Sequence, residues 1–415
     1  MGTDERQLKA LLLSNGHGED VVGARIATEL LELGAVSTVE AAPIVGEGEA
    51  YRSAGIEVRI PRRNLPAGGL TMHSLPLFLA DMRAGFLSLT GSQLRYLAGR
   101  RADVLVTVGD FYAQLLANLV RSPERFVVQT LVSVRHAEGG ALSSPNRWFM
   151  ERITIPERLL MRHRSKLVFV RDEPTALTLH EFGIGNARFV GNPVADGLDD
   201  PVPAALRGLP GVIALLPGSR AYRNGSLRLM LGALQLLAAD REVYGALAWT
   251  GAGDPAAEGW RFTPDDGGDG LMGRLEPQPG ALAAGRLRVL VYRDRFAGVL
   301  QAAVAALGTS GTAHEQAAAL AKPVVTFAQP PHYTAAFLEN QKRLLGPSLH
   351  IAAADEGQLA AVLREWLDDP ARAQLLGRQG RARIGAPGGS RAIAREIGEA
   401  LSRRPAGARM VPKES

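Results

Sequence analysis

A chain of 415 residues is long enough for two domains, each with its own core. Its 46% hydrophobic and 21% charged residues give the balance of a globular protein. No continuous apolar run approaches the ~20 residues that span a bilayer, and the absence of cysteine excludes disulfides, thiolate metal sites and a cysteine nucleophile. The net charge of +5 is concentrated: residues 52–101 hold eight arginines against one glutamate and one aspartate. Such a patch favours a lipid headgroup, a nucleic acid or a phosphorylated substrate, or is simply a solvated basic face. The polar N-terminus, MGTDERQLKA, runs straight into a strand and is no signal peptide, so the expected location is cytoplasmic, the inner face of the membrane included.

The first strand is expected over Leu8–Leu13, followed by Ser14-Asn15-Gly16-His17-Gly18-Glu19-Asp20 and a helix from Asp20 to about Leu33. Two close glycines permit a sharp turn and a ligand's approach to the backbone. They suggest dinucleotide binding, with Glu40 closing the next strand about 20 residues on, but valine at position 21 leaves the G-x-G-x-x-G fingerprint incomplete. A weak strand over Ile56–Ile60 precedes a basic, strongly apolar segment, residues 64–91, which is either a membrane-docking surface or a buried helix hairpin. Asp103–Val108 is a clear strand, and Asp110 follows it at the carboxyl end, where open α/β sheets place their chemistry. Strands over Arg125–Leu131, Lys166–Val170 and Arg188–Val190 complete the first half, with SVRHAEGGALSSPN, which contains His136, as a candidate acceptor loop.

Gly191 to Gly211, with four prolines and no long apolar period, reads as an interdomain linker. The second half restarts with a strand at Val212–Leu216, the loop Pro217-Gly218-Ser219-Arg220 and a helix from about Tyr222 to Ala239. Strands at Tyr244–Thr250 and Arg288–Val291 flank a Gly/Asp-rich loop. A strand ending at Leu307, the turn Gly308-Thr309-Ser310-Gly311, an Ala-rich helix and a strand over Pro323–Phe327 then form a βαβ unit. Backbone N–H groups of Ser310, Gly311 and Thr312 would point outward at that helix start, a ready site for a diphosphate. Glu315, expected in the first turn, suits an anion only if it faces sideways toward a sugar hydroxyl. Helices over Glu356–Leu367, Pro370–Ile384 and Ser390–Leu401 end the chain before a basic tail. The fold expected is α/β, two Rossmann-like domains facing across a cleft: residues 1–198, residues 205–388, and a helix at 389–403 returning to the first domain.

Together the stretches Asp20-Val-Val-Gly23-Ala24, Phe189-Val-Gly191-Asn-Pro193, Leu215-Leu-Pro-Gly218-Ser-Arg220 and Ser310-Gly-Thr-Ala-His-Glu315 with Lys322-Pro323 resemble a GT-B glycosyltransferase. The likeness is to lipid-A-disaccharide synthase, and more narrowly to the proteins described as related to it. The resemblance implies a UDP-sugar donor in the second domain and no cofactor. Gly218, Ser219, Arg220, Ser310, Gly311 and Thr312 would hold the diphosphate, Glu315 with Gln316 the ribose side, and Tyr292 and Arg293 would border the uracil. Gly16, Gly18, Glu19, Asp20 and His136 would line the acceptor side. The chain departs from the synthase in its first loop, in Ser133-Val-Arg-His136-Ala-Glu138 where the synthase has a tryptophan-bearing motif, and in Asn192 where it has a histidine. The acceptor is thus less defined than the donor.

The reaction expected is inverting transfer of a sugar to a hydroxyl acceptor, a lipid by resemblance, with Asp110 or His17 as the base and Arg220 stabilising the leaving diphosphate. No metal is called for: there is no Asp-x-Asp triplet and no close histidine pair. The alternatives are a UDP-sugar 2-epimerase, a dinucleotide oxidoreductase using Gly16 and Gly18, and a non-catalytic nucleotide- or lipid-binding descendant of the fold. Nucleic-acid binding is disfavoured because the basic window lacks interleaved aromatics for stacking.

Overall fold

The computed structural model describes residues 7–61, 86–138, 149, 152–218, 223–251, 253–278, 286–330 and 333–403. It falls into two compact units. Unit 1 comprises Met1–Ala137, Ala141–Pro193 and Gly388–Ser415; unit 2 comprises Val194–Pro387 together with Glu138–Gly140.

Unit 1 is built on seven strands: β1 (Lys9–Ser14), β2 (Thr38–Pro43), β3 (Glu57–Val58), β4 (Val104–Val108), β5 (Glu124–Gln129), β6 (Leu167–Val170) and β7 (Ala187–Arg188). All pair in parallel, in the order β3-β2-β1-β4-β5-β6-β7. The central strands are buried along nearly their whole length, as VLVTV of β4 is, because helices cover both faces of a parallel sheet. Its helices are α1 (His17–Glu32), α2 (Glu49–Ser53), α3 (Phe86–Ala98), α4 (Phe111–Ala117), α5 (Ile155–Arg164) and α6 (Glu173–Glu181). Of the apolar segment 64–91, only residues 86–91 lie within the described residues, as the start of α3.

In unit 2 the strands are β8 (Val212–Leu216), β9 (Val243–Ala248), β10 (Trp260–Pro264), β11 (Leu271–Pro277), β12 (Leu287–Tyr292), β13 (Ala305–Gly308), β14 (Val324–Thr326) and β15 (Leu349–Ile351). Their order is β10-β11-β12-β9-β8-β13-β14-β15, parallel except where β11 pairs antiparallel with β10 and β12. The helices are α7 (Arg223–Leu237), α8 (Phe296–Ala302), α9 (Gly311–Ala319), α10 (Ala335–Leu345), α11 (Glu356–Asp368) and α12 (Pro370–Ile384). The last helix, α13 (Gly389–Ser402), belongs to unit 1, where Ile393, Ala394, Ile397, Ala400 and Leu401 join Leu12, Ile26 and Leu30 in one core.

Three expectations change. The stretch Gly191 to Gly211, read as a linker, contains the boundary between the units at Pro193–Val194, but most of it packs: Ala195, Leu198 and Leu206 are buried in the unit 2 core. The Gly/Asp-rich stretch to Gly270 contains β10 and the turn that joins it to β11 in a hairpin; partly buried Trp260 and Phe262 of β10 pack on the core, and only the turn is glycine and aspartate. Helix α1 opens at His17 rather than Asp20, with Gly16 as N-cap. Among the described residues no helix is long and apolar enough to cross a membrane.

Candidate functional site

In unit 1 the strand order reverses between β1 and β4, so their carboxyl ends open a crevice. Asn15, just past β1, donates from Nδ2 to Asp110 Oδ1 at 2.6 Å. The same oxygen accepts from the backbone of Tyr112 at 2.9 Å and of Ala113 at 3.4 Å, which makes Asp110 the N-cap of α4. Gly109, with φ of +140°, lets the chain turn there, and a Cβ on it would collide with Asn15 Oδ1.

Carboxylates crowd this edge. The Glu19 side chain, at the third position of α1, folds back over Gly16 at the helix tip. Thr130 Oγ1 donates to Glu19 Oε1 at 3.5 Å. Burial raises the Glu19 pKa, with the neighbouring Asp110 charge adding to it. Asp20, 2% exposed, has its pKa pushed up to about 6 by burial, although Ser14 Oγ donates to it at 2.6 Å and Tyr51 donates to Ser14 at 3.0 Å. Glu157 of α5, also 2% exposed, accepts from Gln129 at 3.0 Å and Gln114 at 3.3 Å. Burial foremost, with the Asp110 charge, lifts its pKa to about 7. His17 and Gly18 are exposed, and the His17 ring lies against Gly46. His136 is half-buried in a single 3-10 turn, Val134–Ala137, beyond β5. Among the described residues no cluster of three His, Asp or Glu is arranged to hold a metal ion.

The chemistry of this edge is acceptor-rich. With a carboxylate already at the positive end of α1, a phosphate would meet like charge there. The residues suit hydroxyl groups that donate, and a proton in transit.

Unit 2 repeats the topology, but its helix start has no acidic side chain in the first turn. Strand order reverses between β8 and β13. Thr309, after β13, is tied to β8 by its N–H to Leu216 O at 3.0 Å and by Oγ1 to Pro217 O at 3.2 Å. Gly218 lies beside Ser310, and Thr250 Oγ1 donates to Gly218 O at 3.4 Å. Helix α9 starts at this junction, with Ser310 as an N-cap that gives no side-chain cap to the helix. The first-turn amides of Gly311, Thr312 and Ala313 have no intrahelical partner.

Several expected residues stand differently. The Ser310 amide is not turned outward; it donates to Nε2 of His314 at 3.4 Å, because a buried imidazole sits behind the turn. Glu315 is in the second turn of α9, half-buried, four residues past Gly311 and therefore below it on the same side. Gln316 follows it, also half-buried. Tyr292 is 1% exposed, a core residue at the end of β12 whose hydroxyl has no hydrogen-bond partner among the described residues, so its ring cannot border a base. Arg293 donates to Gly251 O at 3.2 Å and Gly253 O at 3.1 Å, holding the turn after β9. Ser219 and Arg220 lie outside the described residues.

The structure therefore brings Gly16, His17, Gly18, Glu19, Asp20 and Asp110 together in unit 1, and Gly218, Ser310, Gly311 and Thr312 together in unit 2. Sequence reasoning missed Asn15, Glu157, His314 and the Arg223–Trp249 stack, whose guanidinium lies 4.4 Å from the ring centroid beside Gly251. Glu157 did carry a signal: Thr154-x-x-Glu157 is a capping-box spacing, and Thr154 does accept from the Glu157 amide at 3.4 Å.

No protein-family model matches the chain, and no curated protein matches it. Among solved structures it is similar to CalG4, the calicheamicin glycosyltransferase (TM-score 0.61, 16% identity, covering 97% of this chain and 100% of that one). It is also similar to MurG of Acinetobacter baumannii (TM-score 0.56, 14% identity, 94% and 99% covered). A third is the UDP-GlcNAc 2-epimerase of Neisseria meningitidis, solved bound to UDP-GlcNAc (TM-score 0.52, 12% identity, 96% and 100% covered). At these identities the likeness establishes the fold: two Rossmann-like α/β units with parallel sheets, as in GT-B glycosyltransferases.

Proposed function

We propose that this protein is an inverting, UDP-sugar-dependent glycosyltransferase acting on a hydroxyl acceptor. The acceptor is a lipid on the resemblance of its motifs to lipid-A-disaccharide synthase. The observation that carries this reading is the contrast between the two helix starts. The tip of α1 is closed by the Glu19 carboxylate, whereas the tip of α9 carries no acidic side chain in its first turn and keeps backbone amides for an anion. A nucleoside diphosphate thus belongs in unit 2. The Neisseria epimerase, similar in fold, was solved bound to UDP-GlcNAc, which supports UDP as the nucleotide.

In this reading the acceptor oxygen attacks the anomeric carbon, its proton passes to a base in unit 1, and UDP leaves with the electron pair on its β-phosphate oxygen. The amides of Gly311 and Thr312, with the guanidinium of Arg220, take up the charge that develops there. Asp110 has one carboxylate oxygen committed to Asn15 and the α4 cap, so exposed His17 is the better base and Asp110 a positioning group. A titration calorimetry panel is expected to show saturable binding of UDP and UDP-sugars but not NAD. His17→Ala should lower transfer by about 10²–10⁴-fold with the UDP Kd unchanged. Tight NAD binding, or full activity in that variant, overturns the assignment. The epimerase likeness keeps one rival, and it is separated by product: a 2-epimerised sugar formed without acceptor replaces the transfer reading.

A further inference from the structure

Helix α9 satisfies its N-cap amide in an unusual way. An N-cap residue's own amide needs an acceptor, and the usual donor of one is a glutamate or glutamine reaching back from the third helical position. Helix α1 has Glu19 at its third position, folded over the tip. In α9 the third position is Ala313, and the side chain that reaches back is His314, one residue further on. The bond is reciprocal: the His314 amide donates to Ser310 O at 3.1 Å, and the Ser310 amide donates to His314 Nε2 at 3.4 Å.

An Nε2 that accepts must be unprotonated, so the ring proton is on Nδ1. Gln341 Oε1, 3.0 Å from Nδ1, accepts that proton; the Tyr333 hydroxyl lies 3.1 Å from the same nitrogen, and the Gly308 backbone also bonds the ring. His314 is fully buried, and desolvation lowers its pKa to about 4, so the ring is neutral at physiological pH. Space is made for it at the end of β13, where a Cβ on Gly308 would press on Nε2.

We propose that His314 is a positioning residue that caps Ser310 with an uncharged acceptor and so keeps the α9 tip open to the diphosphate of the donor. This rests on the reading that the donor's diphosphate binds at α9. A glutamate doing the same work would place negative charge where the ligand's charge must sit. Gln341, on α10, takes the Nδ1 proton in this arrangement.

The test compares UDP with uridine, which lacks the phosphates, on the full chain by titration calorimetry and ligand-observed NMR. His314→Gln keeps a neutral acceptor and should bind UDP within about threefold of wild type; His314→Leu should weaken UDP about tenfold, the loss of one hydrogen bond, with uridine unchanged. A Leu variant that binds UDP as wild type does, or loses UDP and uridine in equal proportion, overturns the proposal. If the Leu variant does not fold, Gln341→Leu takes its place: UDP weakened with uridine unchanged supports the proposal, and any other pattern overturns it. Wild type that fails to bind UDP at all is a different failure, that of the donor reading itself.

Discussion

Glu157 gains two glutamine amides on folding and loses its water, and the second effect wins. Its folded pKa of about 7 stands above the ordinary carboxylic value of 4.5, so the folded chain holds the proton more tightly than the unfolded one. Stability from this group is fully present below pH 4.5 and is lost as pH rises through 7. Glu157→Gln keeps an acceptor for both amides and has nothing to titrate. Between pH 5 and pH 8 the wild type should lose about 2–3 kcal/mol more than the variant, measured by urea denaturation of the unit 1 transition. A pH-independent offset between the two proteins would contradict this. The contrast with Asp110 also shows what a sequence can display. Asp110 was legible because strand ends in α/β sheets are where chemistry collects, and its strand is unmistakable. Glu157 was not, because its partners lie 28 and 43 residues away and a capping-box spacing says nothing about a carboxylate turned inward.

At the scale of elements, the chain spells out parallel strands well because burial on both faces makes them continuous apolar runs. The β10–β11 hairpin was invisible for the converse reason: its strands are only partly buried, so pattern gave way to the Gly/Asp composition of the turn. The Gly191-Asn192-Pro193 motif shows its meaning only in three dimensions. A Cβ on Gly389 would lie 2.6 Å from the Asn192 carbonyl carbon, and Arg25 of α1 donates to Pro193 O at 3.0 Å, so the motif is a joint for α1 and α13. Gly389→Ala meets backbone that cannot step aside and should cost unit 1 about 1–3 kcal/mol. Gly225→Ala, with nothing within 4 Å on α7, should leave stability unchanged or raise it slightly. Thermal melts of the two variants give the comparison; equal Tm values would contradict the joint.

For the molecule as a whole, the telling feature is that unit 1 is written in separate pieces of the chain, its last helix following all of unit 2. Lys166 fastens the far end of that helix, donating to Ala400 O at 2.8 Å while pairing with Glu124 at 2.9 Å. On the ribosome, therefore, the first domain to begin is the last to finish. Until Gly388 onward emerges, the nascent sheet keeps an uncovered apolar flank along α1, the sort of surface chaperones engage. Released chains that end at residue 387 should show residues 194–387 resistant to protease and residues 7–193 still sensitive, with the full chain closing the difference.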